Sequence, residues 1–171
     1  GTAYDMSPAP NRRHQELTGE IFVEIHNFLE GRECRAYITP FDVRLPESPG
    51  AQNDEIINVV QPDVSVFCSE ESLDEAGAVA APDIAVEVLS PSTSVKDQRE
   101  KLSLYERSGV KEYWVVDPAN ETLSVYSLGQ GPEGGYGKPA VYGPEDRFES
   151  EVLEGFTPGL SKLFLQSPKR E

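Results

Sequence analysis

The segment Ile84–Leu89 is a short apolar run that contains one carboxylate, Glu87. Apolar and β-branched residues in a run of this length predict a strand of a sheet. A carboxylate among such neighbours is rarely a solvent-exposed side chain without a function, because ionised side chains are seldom buried without a partner. We therefore interpret Glu87 as a functional carboxylate. A single polar position on a half-exposed strand is the alternative.

The hydrophobic pattern predicts helices on both sides of a set of short strands. Apolar residues at three- and four-residue spacing predict a helix from about 11 to 29, and a second helix is predicted from a capping Ser94 to about Arg107. Strands are predicted at 36–45 with an interruption at Pro40, and at 56–60, 64–68, 84–89, 112–116, 122–128, 140–142 and 148–153, with a last short helix at 158–165. An acidic loop is expected at 69–81 and a mobile glycine-rich tip at 129–137. This order predicts an α/β or α+β fold with a central sheet, in one domain over 1–171.

The charge of the chain argues against a general nucleic-acid-binding surface. Its 30 Asp and Glu residues outnumber its 15 Lys and Arg residues, which gives a formal net charge of −15. Proteins that coat nucleic acid neutralise phosphates with clustered basic residues instead. The segment 45–90 contains ten acidic residues and no Lys or Arg. The acidic cluster within it, from Glu70 to Glu75, has no assigned role.

The remaining composition predicts a cytoplasmic protein. No apolar run approaches the roughly 18 residues of a membrane span, and the first ten residues lack the pattern of a secretory signal. Cys34 and Cys68 are far apart in the sequence and are expected to be reduced thiols, with a disulfide between them as the alternative.

Two Pro-Asp pairs open the strands on either side of the acidic loop, at Asp63 and Asp83. If these strands form an antiparallel hairpin, Asp63 lies opposite Glu87 and Asp83 lies opposite Phe67. Two facing carboxylates are unfavourable unless a cation lies between them. Oxygen ligands of this kind suit Mg²⁺ or Mn²⁺. This register assigns Asp63 to the site and gives Asp83 the role of anchoring the loop.

Two further residues have both a structural and a functional interpretation. Lys101 is four residues after Asp97 on the second helix, so it either forms a solvent-exposed ion pair or points over the metal site to orient water or neutralise phosphate charge. His14 lies in line with the apolar face of the first helix. It is interpreted as a partly buried structural residue, with a position at the end of the sheet as the alternative.

Several segments taken together match a known family. They are 6–8 with 13–15, Pro40–Leu45, 59–64 and, most extensively, the block that opens Pro-Asp-Ile-Ala-Val-Glu-Val-Leu-Ser-Pro-Ser-Thr at 82–93 and continues to Pro118. Over nearly its whole length the chain resembles the Uma2 family of restriction-endonuclease-like proteins, which is similar to the PD-(D/E)xK nuclease superfamily.

This resemblance implies a mixed central β-sheet flanked by helices and Mg²⁺-assisted hydrolysis of a phosphodiester. It implies that Asp63 and Glu87 are catalytic metal ligands and that the main-chain carbonyl of Val88 is a further ligand. The lysine expected two residues after Glu87 is replaced by Leu89. Because such nucleases sometimes supply this lysine from the neighbouring helix, the resemblance favours Lys101 as the third catalytic residue.

The sequence thus predicts a metal-dependent DNA endonuclease with Mg²⁺ or Mn²⁺ as cofactor. Symmetric cleavage of duplex DNA would favour a homodimer. The alternative is a catalytically inactive nuclease fold that serves in protein or nucleic-acid binding, which the acidity of the chain supports.

Overall fold

The computed structural model of the chain describes residues 11–46, 56–91 and 95–165. Its first helix, α1 (Arg12–Phe28), begins after Asn11, whose Oδ1 accepts a hydrogen bond from the main-chain N–H of His14 at 2.9 Å. This cap satisfies one of the N–H groups that the start of a helix leaves without a partner. The predicted helix and its apolar face are confirmed, since α1 buries His14, Leu17, Thr18, Ile21 and Ile25.

A six-stranded sheet forms the centre of the fold. In spatial order its strands are β1 (Arg35–Ile38), β4 (Val64–Phe67), β7 (Ile84–Val88), β8 (Glu112–Asp117), β9 (Thr122–Ser127) and β10 (Ala140–Tyr142). β7 and β8 are parallel, and the other neighbours in this sheet are antiparallel. A parallel pair needs a crossover connection, which α2 (Val95–Ser108) provides. The sheet is therefore mixed and flanked by helices, as predicted.

A second, four-stranded sheet has the order β3 (Ile56–Val60), β2 (Val43–Pro46), β6 (Gly77–Ala78) and β5 (Leu73–Asp74). The strand-like run predicted at 36–45 with an interruption at Pro40 is divided there into two strands, since β1 ends at Ile38 and β2 begins at Val43 in the other sheet. Proline has no N–H to donate to a strand ladder. The segment 69–81 is also more ordered than predicted, with a 3-10 turn at Glu70–Ser72 before the β5–β6 hairpin.

The two faces of the central sheet bury different sets of side chains. In β7, Ile84, Val86 and Val88 pack in the core that includes the apolar faces of α1 and of α3 (Leu160–Leu165). Ala85 packs in the other core, with Tyr105 of α2. Because side chains alternate along a strand, Glu87 is on the same face as Ala85, towards α2.

Two sequence predictions concern the residues that begin and end α2. Gly109 follows the helix with φ of +84°, a backbone conformation that glycine adopts without steric cost, and it ends the helix as predicted. The predicted capping residue, Ser94, lies outside the described residues. Among the described residues, no helix combines the length and hydropathy that a membrane span needs.

The cysteines form a disulfide, Cys34–Cys68, so the expectation of reduced thiols is wrong for this structure. The reason lies in the strand register. Arg35 of β1 pairs with Phe67 of β4, and the antiparallel register continued by one residue places Cys34 opposite Cys68. Sequence separation hid this proximity, because it arises from sheet pairing.

The glycine-rich tip that was predicted to be mobile is attached to the region of α2 through Tyr136. This side chain is 8% exposed, its hydroxyl donates to the main-chain oxygen of Val110 at 2.7 Å, and its main-chain N–H donates to Glu106 at 2.6 Å. The contacts hold the tip against the core that contains Tyr105.

The prediction of a strand at 148–153 is wrong. The segment instead contacts Glu112, a buried carboxylate at the start of β8. Glu112 is 1% exposed, and four donors contact its two oxygens within 3.1 Å. The donors are Trp114 Nε1, Ser150 Oγ and the main-chain N–H groups of Glu151 and Val152. The segment therefore folds around a side chain instead of pairing with a neighbouring strand.

Glu112→Gln would turn an amide NH₂ group towards donors that now contact a carboxylate. We expect the variant to lose about 3 kcal/mol of unfolding free energy, because charge-assisted hydrogen bonds are lost and a donor is left facing a donor. Urea unfolding followed by circular dichroism measures the loss. Glu154→Gln removes an exposed carboxylate from the same segment and should unfold like the wild type. Equal midpoints for the two variants would contradict the role assigned to Glu112.

Candidate active site

The candidate site lies where the start of β4 meets the end of β7. The observed pairs are Val64 with Val86, Ser65 with Ala85 and Val66 with Ile84, which is the register predicted for the hairpin. Continued by one residue, this register places Asp63 opposite Glu87. Both carboxylates are thus brought to one end of two central strands.

Glu87 is held by two side chains of α2. Lys101 Nζ lies 2.9 Å from Oε2 and forms an ion pair with it, and the Tyr105 hydroxyl donates to Oε1 at 2.7 Å. Lys101 and Tyr105 are four residues apart, so they share one face of the helix. Lys101 therefore pairs with the sheet carboxylate, and the charge of Asp97, one turn earlier on α2, also acts on it.

The electrostatics of the pair follow from burial. Burial raises the pKa of Glu87 and the nearby Asp63 carboxylate adds to this shift, whereas Lys101 and Tyr105 oppose it, and the resulting pKa is about 7. Burial alone would lower the pKa of Lys101, but the combined attraction of Glu87, Asp97 and Asp63 outweighs it and the pKa is raised. Lys101 is thus a cation at neutral pH, suited to stabilise negative charge and unsuited to act as a base.

Asp63 is held by the other strand and by α1. Its Oδ2 accepts a hydrogen bond from the main-chain N–H of Val88 at 2.7 Å and lies 3.1 Å from Nε2 of His14. His14 is therefore at the end of the sheet and in contact with the site, as one of its two interpretations required. Thr18, one turn further along α1, places its Oγ1 3.5 Å from Nδ1 of His14.

All four sequence-predicted site residues line one cleft of about 150 Å³: Asp63, Glu87, Val88 and Lys101. The same cleft is lined by His14, Gln61, Ser90, Asp97, Gln98 and Tyr113. The acidic cluster from Glu70 to Glu75 contributes no lining residue. Its Asp74 instead pairs with Arg44 of β2 across the smaller sheet.

Asp83, the other aspartate that follows a proline, is used to anchor the hairpin. Its Oδ2 accepts a hydrogen bond from the main-chain N–H of Cys68 at 2.7 Å, and its Oδ1 pairs with Lys111 Nζ at 2.7 Å. The two Pro-Asp pairs look alike in the sequence, and the strand register is what distinguishes them.

Sequence reasoning missed Tyr105 as a partner of Glu87. Its spacing from Lys101 was visible, but an aromatic residue on the inner face of a helix is also what core packing requires. The contact depends on how α2 lies over β7, which periodicity along the helix does not specify.

The donor set is consistent with a small, hard cation. Two carboxylates at the end of adjacent strands, with the Val88 carbonyl at the end of β7, offer oxygen atoms only. Within the described residues, no group of three or more His, Cys, Asp and Glu side chains forms a metal cage. A site with so few protein ligands suits Mg²⁺ or Mn²⁺, which retain several water molecules and accept phosphate oxygens.

Comparison with known proteins identifies the family and supports the fold. The family described as "Uma2: Putative restriction endonuclease" matches residues 1–163. The uncharacterized protein slr1290 of Synechocystis sp. is 24% identical over 127 residues, which cover 74% of this chain and 62% of that protein, so the chain spans less than two thirds of this relative. The crystal structure of a "putative nuclease belonging to DUF820" from Anabaena variabilis has the same fold, with a TM-score of 0.71, 22% identity, and coverage of 94% of this chain and 84% of that one. Because the Uma2 match includes nearly the whole chain, the protein belongs to the Uma2 family.

Proposed function

We propose that the protein is a metal-dependent endonuclease that hydrolyses phosphodiester bonds in DNA, with Mg²⁺ or Mn²⁺ as its cofactor. The observation that carries this proposal is the convergence of Asp63, Glu87 and Lys101 in one cleft. Membership of the family described as "Uma2: Putative restriction endonuclease" supports it as well.

The residues of the chain divide the chemistry between them. Asp63, Glu87 and the main-chain carbonyl of Val88 would hold the cation. Bound there, the metal would polarise the phosphate and lower the pKa of an attacking water. Lys101, positioned by Glu87 and protonated at neutral pH, would orient the water and neutralise the charge that develops on the phosphate oxygens.

The net charge of −15 opposes the approach of a polyanion. The exposed cations Arg12 of α1 and Lys96 of α2 each pair with a carboxylate of the same helix, Glu16 and Glu100. The acidic residues on the β5–β6 side remain the observation in favour of a binding module without catalytic activity.

We expect Asp63→Asn, Glu87→Gln and Lys101→Ala each to reduce DNA cleavage by about 100-fold or more, because each removes a charge that acts on the reacting phosphate or its metal. The assay uses plasmid and single-stranded DNA with Mg²⁺ or Mn²⁺. The matched control is Lys96→Ala, which removes an ion-paired lysine from the same helix. This control should cleave like the wild type. Cleavage that survives Glu87→Gln would contradict the proposal, and a wild type without activity would favour the binding module.

The burial of Glu87 predicts a pH dependence of stability in the metal-free protein. Between pH 4.5 and about 7 the carboxyl ionises in the unfolded chain before it ionises in the folded one, so the stability that Glu87 contributes is lost as the pH rises. Relative to Glu87→Gln, the wild type should lose about 3 kcal/mol across this window and no more above it.

Urea unfolding in the presence of a chelator measures this difference at several pH values. At pH 8, added Mg²⁺ should raise the midpoint of the wild type and leave that of Glu87→Gln unchanged, because only the native site binds the ion. If the stability of the two proteins changes with pH in the same way, burial does not raise the pKa of Glu87 and the prediction is wrong.

A further inference from the structure

His14 contacts a proposed metal ligand and has no role in the chemistry described so far. It lies in the first turn of α1, is 7% exposed and is fixed at its main chain by the cap from Asn11. Its Nε2 lies 3.1 Å from Asp63 Oδ2. A side chain that is buried and fixed in this way is placed to act on the geometry of Asp63.

The imidazole of His14 has a neighbouring oxygen at each of its nitrogens. Thr18 Oγ1 lies 3.5 Å from Nδ1 and is itself on a buried residue, and Asp63 Oδ2 lies 3.1 Å from Nε2. These two contacts orient the ring towards the carboxylate.

Two groups of the site lie at the same oxygen of Asp63. Oδ2 accepts a hydrogen bond from the main-chain N–H of Val88 at 2.7 Å and lies 3.1 Å from His14 Nε2. A carboxylate with one oxygen occupied in this way offers the other oxygen to a cation. It therefore binds through one atom and is prevented from chelating through both.

The mode of carboxylate binding discriminates between cations. Mg²⁺ requires near-octahedral coordination at about 2.0–2.1 Å and takes single carboxylate oxygens together with water, and Mn²⁺ suits the same oxygen ligands. Ca²⁺ accepts 6–8 oxygens and readily takes a carboxylate through both of them.

We propose that His14 is a positioning residue that limits Asp63 to one metal-binding oxygen and so gives the site its preference for Mg²⁺ and Mn²⁺ over Ca²⁺. This inference rests on the metal site of the proposed function.

The test measures binding of Mn²⁺ and of Ca²⁺ to the metal-free protein by isothermal titration calorimetry, without a nucleic-acid substrate. In His14→Leu the ratio of Ca²⁺ affinity to Mn²⁺ affinity should rise by about tenfold, the scale on which partners of metal ligands act. In His14→Gln the ratio should stay close to that of the wild type, because the glutamine amide can donate to Asp63 from a similar position. His26→Gln changes the other histidine of α1, which is exposed and stacks on Phe22, and should leave both affinities unchanged.

The outcomes separate this inference from the proposed function. A wild type that binds Mn²⁺, with the same affinity ratio in His14→Leu, would overturn the role of His14 and leave the metal site intact. A wild type that binds neither ion, or binds them as Glu87→Gln does, would overturn both. If His14→Leu fails to fold, His14→Asn gives the same measurement, since its amide is polar but too short to take the place of Nε2.

Discussion

The negative charge of Glu87 is buried at the end of a central strand and therefore needs partners. The structure around Glu87 supplies them. Its ion pair with Lys101 and its hydrogen bond from Tyr105 both come from α2. The same helix is the crossover that the parallel β7–β8 pair requires, so one element satisfies the topology and the charge together. The addition of Asp63 leaves two carboxylates near one ammonium. This imbalance is unfavourable in the isolated protein and favourable once a cation is present.

Glu87 and Glu112 are both buried in the central sheet, but they have different surroundings. Glu112 accepts four hydrogen bonds from its own chain, and no cation takes part in them. Glu87 accepts from a lysine and a tyrosine and lines a cleft. The burial of the two side chains is comparable, at 1% and 7% exposed. Burial alone therefore does not distinguish them, and the basis for proposing a function for Glu87 is its position beside Asp63 and Lys101 in a cleft.

The sequence predicted the elements that depend on local pattern, and it predicted the register that brings the two proposed metal ligands together. The hairpin around the acidic loop could be counted from its centre, and this count placed Asp63 opposite Glu87. The contacts of Tyr105 and the Cys34–Cys68 bond could not be derived, because each joins elements whose relative placement is set by packing across the sheet. The prediction of a strand at 148–153 was wrong for the same reason. The segment has the alternating pattern of a strand, but its main-chain N–H groups donate to Glu112 instead of to a neighbouring strand.

The position of His14 depends on contacts at the far end of the chain. Arg13, its neighbour on α1, points about 100° away around the helix and donates to the main-chain oxygens of Leu163 and Phe164 at 2.6 and 3.1 Å. These carbonyls lie in the last turn of α3, where a helix leaves oxygens without partners, so the guanidinium caps α3 while it fixes the start of α1. Further along α1, Glu24 accepts a hydrogen bond from the main-chain N–H of Gly159 at 3.0 Å. The last helix and the residue before it thus contact α1 at two points. These contacts lie outside the cleft, and they hold α1 in the position from which His14 orients Asp63.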